Sequence, residues 1–204
     1  TNPRITHLIG VDESGTGAFA GSFFSSAVLT SRYWAMDGVQ DSKKTSAHSR
    51  DVLVELIDEE VICHAEAPGT VGDIEKIGQA AAWTNSIVRA VEDVLKYLPT
   101  NLTLSRVAII IDGTGSATLR EKLKHIDALT MFVKKADEFV PTVSAASIFA
   151  KFHRDIEMNL LDKKFPQYNF NQHAGYGTEE HRAAIKKYGR IPHVHRPCTE
   201  DKRS

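Results

Sequence analysis

Near residue 10 an apolar segment ends in two adjacent acidic residues and then runs into glycines. Residues His7 to Asp12 read as a β-strand, and Asp12 and Glu13 precede Gly15-Thr16-Gly17. Adjacent acids are costly on a core strand. Because side chains alternate along a strand, both acids reach one site only if the chain bends after Asp12, which the glycines permit. The segment indicates either an acidic site or a solvated strand end before a turn.

A second apolar segment ends in a carboxylate in the same way. Arg106 to Asp112 is rich in β-branched residues and reads as a strand buried on both faces, and glycine follows it. Ligands of α/β proteins bind beyond the carboxyl ends of strands, so neighbouring strands would bring Asp12, Glu13 and Asp112 to one edge of the sheet. Asp112 could equally cap the next helix.

The remaining periodicity predicts an α/β protein with a mixed sheet, because strands dominate the first half and alternate with helices in the second. The segments carry no repeat or linker, so we expect one domain over residues 1–204. Further predicted strands are Ser22 to Thr30, Val61 to Ala65 and Leu129 to Lys134; predicted helices are Asp73 to Leu98, one from about Pro141, and Thr178 to Tyr188.

The helix predicted from Pro141 carries a polar stripe beside an apolar one. At about 100° per residue, Ser144, Ser147, Lys151 and Asp155 fall within an arc of roughly 80°. Such a stripe is also typical of a surface helix. Two hydroxyls followed by lysine and aspartate nevertheless suit contacts with phosphate and metal, which favours a functional face.

Composition and charge limit the classes of function. With 25 basic and 26 acidic residues the net charge is -1, which excludes a broadly basic nucleic-acid coat protein and requires any nucleic-acid contact to be local. Apolar runs are far shorter than the roughly 20 residues that span a bilayer, so no membrane segment is expected. Thr1 to Ile9 lacks a signal-peptide pattern, and Cys63 and Cys198 suit free thiols, which favours a cytoplasmic protein.

Four carboxylates in one place repel one another unless cations neutralise them. Oxygen-only ligands favour Mg²⁺ or Mn²⁺, and nothing in the sequence calls for an organic cofactor. A zinc site made of His193, His195 and Cys198 lacks a fourth ligand and the spacing of a known motif.

Over nearly its whole length the chain resembles the type 2 ribonucleases H, the family of ribonuclease HII and ribonuclease HIII. The motifs that carry the resemblance are Asp12-Glu13 before glycines, Asp41-Ser42-Lys43-Lys44, Asp112-Gly113, Ala145-Ala146-Ser147-Ile148 with Ala150-Lys151 and Arg154-Asp155, and Gly175-Tyr176-Gly177-Thr178 with His181.

The resemblance implies a ribonuclease H-like fold, with a central mixed five-stranded sheet flanked by helices and a helical C-terminal part. It implies an endoribonuclease that cuts the RNA strand of RNA/DNA hybrids with two metal ions, leaving 5′-phosphate and 3′-hydroxyl ends. The family's catalytic and metal-binding acids map onto Asp12, Glu13, Asp112 and Asp155. We expect it to act as a monomer.

The residues implied in substrate binding are Gly15, Thr16, Gly17, Lys43, Lys44, Ser147, Lys151 and Tyr176. The lysines would hold phosphates, while the glycine backbone and the tyrosine would read the ribose. Thr16 departs from the Arg or Lys usual in the HII branch and is typical of HIII, which leaves cutting at a single embedded ribonucleotide open. The Pro192 to Arg196 segment also departs from the usual pattern.

Two other interpretations use the same acids. In a magnesium-binding receiver domain of a signalling protein, Asp112 would accept the phosphate and Lys134 would lie beside it. Receiver domains are, however, much shorter than this chain. A catalytically silent protein on the same fold would bind hybrids without cutting them, although all four acids are present.

Overall fold

The computed structural model describes residues 4–39 and 47–197, without the side chains of residues 47–49. Within these residues the chain forms five strands, β1 His7–Ser14, β2 Phe23–Ser31, β3 Cys63–Gly69, β4 Val107–Asp112 and β5 Leu129–Val133. It also forms seven α-helices, α1 Ala47–Glu60, α2 Val71–Ile77, α3 Gln79–Leu95, α4 Ala117–Leu123, α5 Pro141–Lys164, α6 Phe170–His173 and α7 Glu179–Tyr188.

The strands make one mixed sheet in the order β3-β2-β1-β4-β5. β1, β2 and β3 pair antiparallel, whereas β1, β4 and β5 run parallel. Val11 pairs with Ile111 in the parallel pair of β1 and β4. The next residues, Asp12 and Asp112, therefore lie side by side at the carboxyl ends of these strands. The predicted mixed five-stranded sheet is confirmed, and so is the edge that brings these acids together.

Helices cover both faces of the sheet. On one face Ile9, Val11 and Ile109 pack in a core with Ile87 and Val91 of α3. On the other face α5 lies so close to β1 that a Cβ on Gly10 would meet the backbone carbonyl carbon of Thr142 at 2.4 Å. Glycine at position 10 therefore sets the distance between β1 and α5, the helix that carries the predicted polar stripe.

The single helix predicted over Asp73 to Leu98 is wrong, because the structure divides it into α2 and α3. Gly78 lies between them with φ of 82°, a left-handed conformation that ends α2. Thr70 begins α2 with a capping box: its hydroxyl accepts a hydrogen bond from Asp73 N, and the Asp73 carboxylate accepts one from Thr70 N. Helix α1 was not anticipated from the sequence.

The C-terminal part is helical, as predicted. Met158 of α5 packs with Tyr168 and Phe170, and Ile191 and Val194 complete this small core. The segment after α7 also touches the sheet region, because Ala20 and His195 form an isolated β-bridge. No helix within the described parts of the chain is long and apolar enough to cross a membrane.

Candidate active site

Asp12 lies buried at the centre of the sheet edge. Its carboxylate accepts hydrogen bonds from the backbone of Glu13 (2.8 Å) and from the side chain of Ser147 on α5. Burial raises the pKa of Asp12 to about 7, and the nearby acids Asp112 and Asp137 raise it as well. An acid in this position ionises fully only when positive charge is close.

The side chain of Glu13 projects from the face of β1 opposite to that of Asp12. Strand β1 continues to Ser14 rather than ending at Asp12. Its carboxylate bonds to the side chain of Trp83 on α3. Burial raises the pKa of Glu13 to about 8, and repulsion by Asp12 and Asp112 adds to the effect. The two adjacent acids therefore act on one another although they leave opposite faces of the strand.

Asp112 and Asp137 come from the ends of two parallel strands. The carboxylate of Asp112, which ends β4, accepts a hydrogen bond from the backbone N–H of Ala136 (2.7 Å). Asp137 is buried in the short 3₁₀ turn Ala136–Glu138 that follows β5. The hydroxyl of Ser144 donates to the Asp137 carbonyl (2.6 Å), which ties this turn to α5.

Asp155, the fourth acid predicted from the sequence, has a different partner from the other three. Its carboxylate forms an ion pair with Arg50 of α1. Burial raises the pKa of Asp155, and the charges that act on it are those of Arg50, Arg154 and Asp51. Asp155 lies eight residues after Ser147, the α5 residue that contacts Asp12, and eight residues are about 12 Å along a helix axis. The acid that acts on Asp12 instead is Asp137.

The predicted phosphate contacts on α5 differ in their surroundings. Ser147 is 2% exposed and bonds to Asp12, so its hydroxyl positions that carboxylate. Ser144, also in the predicted stripe, is fully buried and bonds to backbone carbonyls. Lys151 is half-buried one turn after Ser147. Lys43 and Lys44 lie outside the described residues.

The glycine loop Gly15-Thr16-Gly17 and Tyr176, both predicted to bind substrate, lie next to each other in the structure. A Cβ on Gly17 would lie 3.8 Å from the Tyr176 ring, and the ring is 42% exposed. The two segments are also joined through the backbone, since Phe19 N donates to the Gly175 carbonyl (2.8 Å). The loop and the tyrosine therefore form one surface beside Glu13.

Two buried arginines hold this surface from behind. Arg196 donates to the carbonyls of Gly15 (2.7 Å), Thr16 (2.9 Å) and Gly21 (2.8 Å). Arg154 donates to the carbonyls of Ser22, Ala20 (2.9 Å) and Ala174 (2.6 Å). The C-terminal segment, whose role the sequence left open, thus supplies the residue that fixes the glycine loop.

A chain of hydrogen bonds through two buried histidines connects the C-terminal segment to the tyrosine loop. Ile191 N–H donates to Nδ1 of His195 (2.8 Å), so His195 carries its proton on Nε2 and donates to Nε2 of His181 (3.2 Å). His181 then donates through Nδ1 to the Tyr176 carbonyl (2.9 Å). Burial lowers the pKa of both rings, that of His195 to about 4. Both rings are neutral in this network.

Asp137, Arg196 and the pairing of His181 with His195 were not predicted from the sequence. A signal existed for Asp137, because it lies shortly after the end of β5, as Asp112 lies at the end of β4. No local pattern marked Arg196, whose partners are about 180 residues away in the sequence.

The donor set fits a hard divalent cation, because it consists of carboxylate oxygens whose ionised forms are disfavoured by burial and mutual repulsion. Within residues 4–39 and 47–197, no three His, Cys, Asp or Glu side chains are already grouped as a metal site. The carboxylates of Asp12, Glu13 and Asp112 bond instead to Ser147, Trp83 and Ala136 N.

Comparison with known proteins decides the family. Residues 9–199 match the family described as Ribonuclease HII. The chain belongs to the ribonuclease HII family. It is 38% identical over 197 residues to Ribonuclease HII of Burkholderia lata, which covers 97% of this chain and 82% of that protein. It is 36% identical over 183 residues to Ribonuclease HII of Neisseria meningitidis serogroup C, covering 90% and 87%. The predicted enzyme class, a ribonuclease H, is confirmed.

Solved structures show the same fold as this ribonuclease HII family member. The PCNA:RNase HII complex from Archaeoglobus fulgidus gives a TM-score of 0.74 at 24% identity, covering 95% of this chain and 98% of that one. Bst-RNase HIII in complex with Mn²⁺ gives 0.69 at 19% identity, covering 91% and 71%. The ribonuclease H-like fold is confirmed, and Thr16 lies in a chain of the HII family.

Proposed function

We propose that this chain is an endonuclease that hydrolyses the RNA strand of RNA/DNA hybrids at Asp12, Glu13, Asp112 and Asp137. The observation that supports this most directly is that these acids lie at one sheet edge and repel one another electrostatically. Burial and the neighbouring carboxylates raise the pKa of Asp12 to about 7 and that of Glu13 to about 8. Membership of the ribonuclease HII family supports the same substrate. It lends no support to a receiver domain or a silent binder.

Mg²⁺ or Mn²⁺, as two ions per site, would be held by these four acids. The chemistry such ions supply is activation of the attacking water and stabilisation of the leaving oxygen, which would leave 5′-phosphate and 3′-hydroxyl ends. The residues prepare the site for this: Ser147 and the Glu13 backbone orient the Asp12 carboxylate, and Ala136 N orients Asp112.

Selectivity for RNA would come from the surface formed by Gly15-Thr16-Gly17 and Tyr176. The absence of a side chain at Gly15 and Gly17 lets a ribose approach the backbone closely enough to bond through its 2′-hydroxyl. The Tyr176 ring is exposed beside this loop and offers a face for the sugar or base. Lys151, Lys43 and Lys44 would bind backbone phosphates without sequence preference.

The test is cleavage of three labelled duplexes in Mg²⁺ and then Mn²⁺: a full RNA/DNA hybrid, a DNA duplex holding four ribonucleotides, and one holding a single ribonucleotide. Wild-type protein should cut at least the first. Asp12→Asn and Asp137→Asn should lose activity by a factor of about 100 or more, because each removes a ligand charge. Asp155→Asn is the matched control and should stay within about tenfold of wild type.

Absence of metal-dependent cutting by the wild-type protein would refute the enzyme assignment. Loss of activity in Asp155→Asn together with full activity in Asp137→Asn would restore the sequence-based ligand set. Cutting at the single ribonucleotide would show that Thr16 does not prevent that reaction.

A further inference from the structure

A groove extends from Glu13 past the glycine loop to the C-terminal arginines. One depression of about 420 Å³ is lined by Glu13, Thr16, Gln79, Ala80 and Trp83. A second, of about 260 Å³, is lined by Thr16, Gly17, Ala18, Phe19, Gln79, Arg190, Arg196 and Pro197. Thr16 and Gln79 belong to both, and Gln79 Nε2 donates to the Thr16 carbonyl (2.9 Å). The two depressions therefore adjoin along a wall that this bond holds in place.

The two ends of the groove differ in charge. The first depression contains Glu13 of the acid cluster, while the described residues that line the second include two arginines and no acid. A third arginine, Arg182, lies 5.4 Å from the centre of the Phe19 ring. Glu75 bonds to His193 (3.0 Å), and neither residue lines the depression. The second depression is therefore suited to an anion.

The two lining arginines have different roles. Arg196 is 4% exposed and is committed to the carbonyls of Gly15, Thr16 and Gly21. Arg190 is half-buried, and its Nη1 donates to the Arg196 carbonyl (2.9 Å), which holds its guanidinium beside the groove. A guanidinium is always charged, and its planar fork matches the oxygens of a phosphate. Arg190 is the residue of this depression that suits a ligand contact.

We propose that Arg190 forms a phosphate subsite at the far end of this groove, which binds a backbone phosphate of the cleaved strand a few nucleotides from the cut. This proposal rests on the proposed function, because it takes the acid cluster as the place of cleavage. A nucleic-acid strand that passes from Glu13 along the glycine loop reaches Arg190 next, and its phosphates recur at every nucleotide. The contact would add affinity without base preference.

Binding and turnover of Arg190→Gln test the subsite. KM for the hybrid should rise about tenfold with kcat nearly unchanged, and the slope of log(kcat/KM) against log[salt] should become shallower by about 1. Arg190→Lys should recover part of the loss. Lys187→Gln is the matched control, since it removes one positive charge from an exposed position on α7 outside the groove. Circular dichroism and urea unfolding of each variant check that the fold is retained.

A phosphate scan locates the contact. A labelled hybrid, with one phosphate at a time replaced by a neutral methylphosphonate, is bound to Asp12→Asn protein, which does not cut. A methylphosphonate at one position should weaken binding to the Asp12→Asn protein about tenfold. The same substitution should have no further effect on binding to the Asp12→Asn, Arg190→Gln double variant. Equal effects in both proteins at every position, or a KM for Arg190→Gln equal to that of Lys187→Gln, would overturn the subsite. If wild-type protein neither binds nor cuts the hybrid, the proposed function itself fails.

Discussion

Acidification should destabilise the folded protein through His195, which is neutral in the folded state. The pKa of His195 is lowered from 6.5 to about 4, mainly by burial and next by the neighbouring His181. Between these two pH values the unfolded chain takes up a proton that the folded chain refuses, so stability falls as the pH decreases from 6.5 toward 4 and changes little above 6.5. From pH 7 to pH 5 the loss due to this group is roughly 2 kcal/mol.

The reason for this low affinity for protons lies in the hydrogen-bond chain. His195 accepts from Ile191 N–H at Nδ1 and donates from Nε2 to His181. A second proton on His195 would face the Ile191 N–H, and one on His181 Nε2 would face the His195 N–H. Protonation of either ring therefore breaks the connection between the C-terminal segment and the Tyr176 loop.

The measurement is urea unfolding at pH 5, 6 and 7 in the presence of a chelator, for wild type and His195→Asn. Asparagine keeps an acceptor for Ile191 N–H but does not titrate in this range. Asp12 and Glu13 act in the opposite sense, because their raised pKa values favour the folded state as the pH falls, so the result is the difference between the two proteins. Wild type should lose roughly 2 kcal/mol more than His195→Asn from pH 7 to 5.

An exposed histidine provides the control for this experiment. The His193 side chain is 80% exposed, and His193→Asn should follow the pH dependence of wild type. If wild type and His195→Asn lose stability in parallel, the histidine pair is not held neutral by the fold, and the reasoning is refuted.

Three further predictions concern packing, metal binding and the arginine behind the glycine loop. Gly10→Ala should lower the free energy of unfolding by about 1–3 kcal/mol, since its Cβ would meet the α5 backbone; a urea midpoint equal to wild type would contradict this. Mg²⁺ or Mn²⁺ at about 100 times its Kd should stabilise wild type and Asp155→Asn against thermal unfolding by about 2.7 kcal/mol. The gain in Asp137→Asn should be clearly smaller, and equal gains in all three proteins would show that Asp137 is not part of the site. Arg196→Lys should cost about 1–3 kcal/mol, because an ammonium cannot reach three carbonyls at once; unchanged stability would show that these bonds are not needed.

Patterns within single segments predicted much of this fold. Alternation and β-branched runs located β1, β2, β4 and β5, because burial on a sheet requires those residue types at that spacing. The helix break at Gly78 was missed, since apolar periodicity continues across it while the backbone turns at one residue of positive φ. A capping box at Thr70 and Asp73 was the local signal for the true start of α2.

The sequence by itself placed Asp12, Glu13 and Asp112 at the ends of core strands. The tertiary structure decided that β1 and β4 are parallel neighbours, so that these ends share one edge of the sheet. The proposal of Asp137 rather than Asp155 as the fourth acid depends on the tertiary structure alone. The periodicity of α5 gives the direction of Asp155 around the helix but not the level at which the helix crosses the sheet. Close packing at Gly10 puts the first turns of α5 over β1, so Ser147 reaches Asp12, while Asp155 lies farther along and pairs with Arg50.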